Sequence, residues 1–268
     1  MIAPNKPCDY NNLKIEPEEY EEFIKKCPQS KKWIKKMVGA QEFINNKARY
    51  CLWLVGCEPS ELRTMPLVLD RVNKCREARI KANTSESLRL ANTPTLFREQ
   101  INPDKYLLIP CVSSEKRRYI PIGFLNKETI PVMGTLIIPN ADLLDFGILT
   151  SNVHMSWMRS VAGRLKSDYR YSKDIVYNNF PWPNPTNEQK EQIEKTAQMI
   201  LDARAKYPNS SLADLYDEIT MPSELRTAHQ LNDKAVMEAY GFSVKMSESE
   251  CVAKLMEMYE KLVNESNN

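Results

Sequence analysis

Glycine is scarce in this chain. Its 268 residues hold seven, at 39, 56, 123, 134, 147, 163 and 241, and no two stand within six residues of each other. No glycine-rich loop for a phosphate, a dinucleotide or the methionine moiety of S-adenosylmethionine can be assembled from them. Histidine is scarcer still: His154 and His229 leave little material for a catalytic triad, and no G-x-S-x-G elbow exists. The seven cysteines include no C-x-x-C pair, so a zinc site of the usual spacing cannot be written. Their odd number fits free thiols in a reducing compartment. No apolar run approaches the roughly 20 residues that span a bilayer. The opening MIAPNKPCDY has no apolar core of a signal peptide. These absences point to the cytoplasm.

Two fragments resemble catalytic motifs without completing them. Glu188-x-Lys190 is half of a nuclease E-x-K but lacks the upstream acid on a strand, so it reads as a solvated helix face. Pro181-Trp182-Pro183 lacks the adjacent prolines and the asparagine of an N-P-P-[YF] methyltransferase loop. His229 reads as a packed core or interface histidine. Taken alone, the chain is expected to carry no catalytic residues, no metal and no cofactor.

What is present is a hydrophobic fraction of 42%, enough to build a core, and an uneven charge distribution beneath a net +2. Residues 1–185 carry 28 basic and 20 acidic side chains, a net of +8, whereas 186–268 carry 9 and 15, a net of −6. The prolines of FPWPNPTNEQ (180–189) fall at the same break. The pattern predicts an α+β fold: a mixed domain with short antiparallel strands over 1–185, then an all-helical domain over 186–268.

In the first part helices are expected over Pro17–Lys26, Ser30–Val38 and Pro66–Lys81. EFINNKARYCLWL reads as two strands about Asn45-Asn46-Lys47, and LLIPCV, RYIPIGF and GTLIIP as short strands. DLLDFGILTSNVHMSWMRSVAG reads as one helix ended by Gly163. In the second part, helices are expected after a Thr186 or Asn187 cap, near Leu212–Ile219, from Pro222 to Gly241, and from Ser247 to about Val263, the last opened by a Ser247–Glu250 capping box.

Two segments carry concentrated chemistry. SSEKRRY (113–119) sets Ser113, Ser114, Lys116, Arg117 and Arg118 at the edge of an expected strand. Residues 153–173 set Arg159, Arg164, Lys166, Arg170 and Lys173 against Asp168 alone, a local +4, with Tyr169 and Tyr171 interleaved. Lysine and arginine neutralise phosphates, Ser and Tyr hydroxyls donate to phosphate oxygens, and arginine can read guanine in the major groove. A solvated basic face with tyrosines packed as strand residues has the same composition, so both readings stand on chemistry alone.

A resemblance weighs between them. YIPIGFL (119–125), FGILTSNVHMSWMRSVAGRLKSDYRYSKDIVYNNFPWP (146–183), LADLYDEITMPSELRTAHQLNDKAVMEAYG (212–241), GAQEFINNKARYCLWL (39–54) and the RV…R…ANTPTLF stretch (71–97) resemble the C-terminal part of MmeI-like enzymes. These are single-chain type II restriction–modification proteins that join a nuclease, a DNA adenine methyltransferase, a target recognition domain and a helical tail. The resemblance implies that residues to about 185 are the target recognition domain and the rest the helical tail, with the methyltransferase upstream in the same polypeptide. The implied partner is double-stranded DNA. S-adenosylmethionine, and Mg²⁺ for cleavage, belong to the parent enzyme. Base reading is implied at Arg117 and Arg118 and, by register, at His154, Ser156 and Met158. Phosphate contact is implied at Ser113, Ser114, Lys116, Arg159, Arg164, Lys166, Tyr169, Arg170, Tyr171 and Lys173. The alternative is a non-catalytic protein-interaction or scaffold module with an incidental basic face.

Overall fold

Proline at the first helical position is the simplest local instruction in this chain, because its missing N–H is an orphan there anyway. It starts the helices at Pro17, Pro59 and Pro66. A computed structural model describes residues 1–266. In chain order the strands are β1 (Lys14–Ile15), β2 (Ile34–Val38), β3 (Tyr50–Leu52), β4 (Lys105–Pro110), β5 (Val112–Ser113), β6 (Gly123–Asn126), β7 (Thr129–Pro131), β8 (Thr135–Pro139), β9 (Gly163–Leu165) and β10 (Asp168–Arg170). The helices are α1 (Pro17–Lys26), α2 (Ala40–Asn45), α3 (Pro59–Arg63), α4 (Pro66–Ala82), α5 (Ser85–Leu90), α6 (Leu143–Leu149), α7 (Asn152–Val161), α8 (Asn187–Ala205), α9 (Leu212–Leu215), α10 (Ser223–Ala239) and α11 (Glu248–Ser266). The fold is α+β, about 49% helix and 15% strand.

The chain forms two compact units, one of residues 3–105 and 125–137, the other of residues 1–2, 106–124 and 138–268. The first unit is built on the sheet β1–β3–β2–β7. β3 pairs antiparallel with β1 and β2, while β2 and β7 run parallel, with Met37 opposite Ile130. Its core gathers Leu13, Ile15, Phe23, Leu52, Trp53, Met65, Val68, Val72 and Phe97. Arg79 is fully buried there, and its guanidinium donates to the carbonyls of Cys8, Leu90, Thr93 and Leu96 at 2.8–3.1 Å. One side chain thus satisfies loop carbonyls that would otherwise be stranded.

Two expected elements of this unit are corrected. Residues 30–38 are not a helix: a 3₁₀ turn over Pro28–Trp33 leads into strand β2, because the segment is claimed by partners distant in sequence. The stretch 42–54 is not a hairpin. α2 runs to Asn45, and Asn46 ends it in the left-handed conformation at φ 50°, before β3 begins at Tyr50.

The second unit contains the sheet β5–β10–β9 and all the C-terminal helices. The expected long helix 141–163 is two. Ser151 interrupts it, and its hydroxyl accepts from the His154 amide at 3.3 Å to cap α7. RYIP (118–121) forms no strand. α6 packs on α8 through Gly147, where a β-carbon would meet Ile193 Cγ2 at 2.6 Å. α8 opens on the expected Thr186 cap, and α11 follows the Ser247–Glu250 box. Because α8 and α10 pack on α6, and α11 on α7, the compositional break at 185/186 does not separate the two units.

Candidate nucleic-acid interface

The two basic segments, some 50 residues apart in sequence, meet in one small sheet. β10 pairs with β5 in the register Tyr169 opposite Ser113, and with β9 in the register Tyr169 opposite Arg164. Strand alternation then sorts the side chains. Tyr169 and Tyr171 point inward and are buried, while Arg170 between them is exposed. All of β9 is exposed. At the hairpin tip Lys166 adopts a left-handed φ of 56°, a conformation uncommon for any residue but glycine.

Arg164 is held ready rather than free. Its guanidinium lies 3.8 Å from the centroid of the Tyr169 ring, and Nη1 donates to the Ser167 carbonyl at 2.8 Å. Beside the hairpin, residues 114–117 form a turn closed by the Arg117 amide on the Ser114 carbonyl at 3.1 Å. Ser114 Oγ accepts the Lys116 amide at 3.3 Å. Lys116 and Arg118 are exposed and Arg117 is half-buried. Burial lowers the Arg117 pKa from its ordinary value, and Asp168 and Asp217 pull it back up. The sheet and this turn therefore present Lys116, Arg118, Arg164, Lys166 and Arg170 to solvent.

The remaining expected contacts lie elsewhere. His154, Ser156 and Met158 do not form a reading edge: all three are buried in α7. Residues two apart on a helix point to different sides, so 154 and 156 could not share a face. His154 is fully buried, with Nε2 2.9 Å from the Tyr171 hydroxyl and its ring edge-on to Phe180. Burial lowers its pKa to about 3 and raises that of Tyr171 far above the usual phenol range, so the pair is neutral at pH 7. Ser156 donates to the Asn152 carbonyl at 2.8 Å. Tyr171 is thus an internal tie and not a phosphate contact, and Ser113 is buried with its hydroxyl closed off from solvent.

Besides Arg164, which also pairs with Glu115 at 3.9 Å, Arg159 and Lys173 are engaged within the protein. Arg159 grips the Glu248 carboxylate through Nε at 2.6 Å and Nη2 at 3.0 Å, and Nη1 donates to the Arg118 carbonyl at 3.2 Å. Lys173, half-buried, pairs with Asp174 at 3.4 Å. His229 is a core histidine as expected, fully buried and stacked on Tyr119 at 4.1 Å. What the sequence reading missed is Asp233. This buried carboxylate accepts from the Tyr119 hydroxyl and from the Asn152 amide. It lies in the acidic C-terminal part, where no spacing singles it out.

None of the described residues forms a cluster of three His, Cys, Asp or Glu able to hold a metal. No helix among the described residues is long and apolar enough to cross a membrane.

Fold and site together define an α+β module that displays a basic hairpin on a helical support. Residues 1–184 match the family model of the MmeI target recognition domain, and residues 185–266 that of the MmeI C-terminal domain. The chain belongs to the MmeI family. It is 38% identical over 259 residues to DNA methyltransferase A of Bacillus subtilis (strain 168), a match covering 96% of this chain and 29% of that protein. Its structure matches that of the Type IIL restriction-modification enzyme MmeI in complex with DNA, with a TM-score of 0.94 and 48% identity, over 98% of this chain and 35% of that one. The chain therefore spans 29% and 35% of the lengths of these two relatives.

Proposed function

We propose that this chain is the sequence-specific double-stranded DNA recognition module of a restriction–modification methyltransferase. In this reading it positions the duplex for adenine methylation, and for cleavage, by domains upstream in the same cytoplasmic polypeptide. The chemistry, with S-adenosylmethionine and Mg²⁺, belongs to those domains, and this chain contributes no catalytic group. The observation that carries the reading is the joining of residues 113–118 and 163–170 into one small sheet and turn that leaves five cations exposed, in a chain 48% identical to a protein solved on DNA. Lys116, Arg164, Lys166 and Arg170 neutralise phosphates and set the register of the duplex. The guanidinium forks of Arg117 and Arg118 in the adjoining turn test base edges.

The test is fluorescence anisotropy of the chain on random-sequence duplex DNA across a salt series. Each phosphate neutralised contributes about −0.9 to the log–log slope, so full engagement of Lys116, Arg164, Lys166 and Arg170 gives about −3.6. Binding that ignores salt, or no binding at low salt, would overturn the proposal in favour of a protein-interaction module.

A further inference from the structure

Phosphate attraction is long-ranged and tolerates small displacements, whereas testing a base edge demands hydrogen-bond geometry held to a fraction of an ångström. A module that reads sequence therefore needs its reading segments fixed relative to one another. In the unit that holds the basic surface, the fixing comes from the C-terminal helices. Tyr119 Oη, at the end of the 113–119 segment, donates to Asp233 Oδ2 at 2.6 Å. The amide of Asn152, the first residue of α7, donates to Asp233 Oδ1 at 2.7 Å. One carboxylate on α10, 6% exposed, thus joins the 113–119 turn to the head of α7. An amide in the first turn of a helix has no intrahelical partner and sits at the positive end of the dipole, which suits a carboxylate.

The tie continues on both sides. One turn before Asp233 on α10, His229 stacks on the Tyr119 ring. Near the other end of α7, Arg159 links Glu248 of α11 to the Arg118 carbonyl. From the first turn of α7, His154 reaches Tyr171, which directly follows β10. Asp233 is therefore one contact from the Lys116–Arg118 turn and, through α7, one contact from the Arg164–Arg170 hairpin.

We infer that Asp233 is a positioning residue for sequence discrimination: by tying Tyr119 and the N-terminus of α7 to α10, it sets the spacing of the two basic segments. This rests on the DNA-recognition reading above. The helical C-terminal part then acts as the frame of the reader and not as a separate appendage.

The test compares the wild-type chain with Tyr119→Phe and Asp233→Asn. A duplex enriched by the wild-type chain from a randomised library serves as the preferred site, and random duplex as the competitor. Thermal melting shows that each variant is folded. Tyr119→Phe, which removes one hydroxyl, carries the test if Asp233→Asn does not fold. The inference expects random-duplex affinity within about twofold of wild type, an unchanged salt slope, and a preferred-to-random ratio lowered about tenfold. The double variant should be no worse than the weaker single, since both break one tie. A folded variant that keeps the wild-type ratio overturns the inference and leaves the DNA reading standing. A wild-type chain that binds DNA without preference overturns the inference as well. No salt-dependent binding by wild type overturns the DNA reading, and the inference with it.

Discussion

Helix α7 and the hairpin β9–β10 follow one another in sequence, are both rich in polar side chains, and have opposite fates. In α7, His154, Ser156 and Arg159 are all engaged by the protein itself, by Tyr171, the Asn152 carbonyl and Glu248. In the hairpin, Lys166 and Arg170 are exposed and Arg164 rests on a tyrosine ring with its side chain about half exposed. Polarity alone does not mark a contact surface. A polar group that the fold has already paired supports the site, and one left in solvent can meet a partner.

Breaking the comparison at α7 should cost stability first. His154→Ala removes a fully buried ring and the partner of Tyr171, and is expected to destabilise the chain by about 2–4 kcal/mol. Melting should reveal the loss, and any fall in DNA affinity should vanish at temperatures where the variant is folded. If His154→Ala melts like wild type, the His154–Tyr171 contact does not hold α7 to the hairpin. At the hairpin the pattern inverts. Arg164→Glu or Arg170→Glu should weaken binding to all duplexes roughly tenfold at low salt and reduce the salt slope by about 1, with the melting temperature almost unchanged. A change of preferred sequence without a change of slope would reassign these side chains from positioning to reading.

The buried groups also set a pH dependence. His154 and His229 have pKa values lowered by burial from 6.5, to about 3 for His154. Their stabilisation is fully present above 6.5 and is lost as pH falls towards the folded values, at up to about 1.4 kcal/mol per pH unit for each. Asp233 runs the other way: its pKa is raised from 3.8 to about 6, chiefly by burial. Its contribution is present below 3.8 and lost as pH rises through 6. The two histidines outweigh the one carboxylate, so denaturant titrations should show stability falling from pH 6.5 downward. Asp233→Asn should steepen that fall. A stability that rises between pH 6.5 and 4 would contradict these assignments.

The smallest effect is expected at the hairpin tip. Lys166 holds a φ of 56°, which a glycine adopts without strain. Lys166→Gly should leave stability unchanged or raise it by up to about 1 kcal/mol while weakening duplex binding roughly threefold. Opposite signs on the two axes would separate the charge of this residue from its backbone.

Local signals in the sequence account for much of the fold. Pro17 and Pro66 start helices, Thr186 caps α8, Gly241 follows α10 at φ 69°, and the Ser247–Glu250 box opens α11. Elements decided by distant partners were not legible. β2 is a strand because β3 and β7 pair with it, and nothing within Ile34–Val38 distinguishes that outcome from a helix. At the site, the two basic segments were visible as charge, but their union depends on the β5–β10 pairing. The misplaced readers in α7 have the same origin: the helix is buried on nearly every side, which no count of its own residues reveals. Asp233 was invisible because its role is defined by Tyr119 and Asn152, 114 and 81 residues away in sequence.

The central claim is that the 114–118 turn and the 163–170 hairpin touch DNA while α7 supports them from inside. Amide hydrogen exchange of the chain, with and without saturating duplex DNA at low salt, tests it most directly. New protection is expected to concentrate in 114–118 and 163–170, with 153–158 already slow and unchanged. Protection that leaves the hairpin untouched, or that appears only in the acidic helices after residue 186, would contradict it.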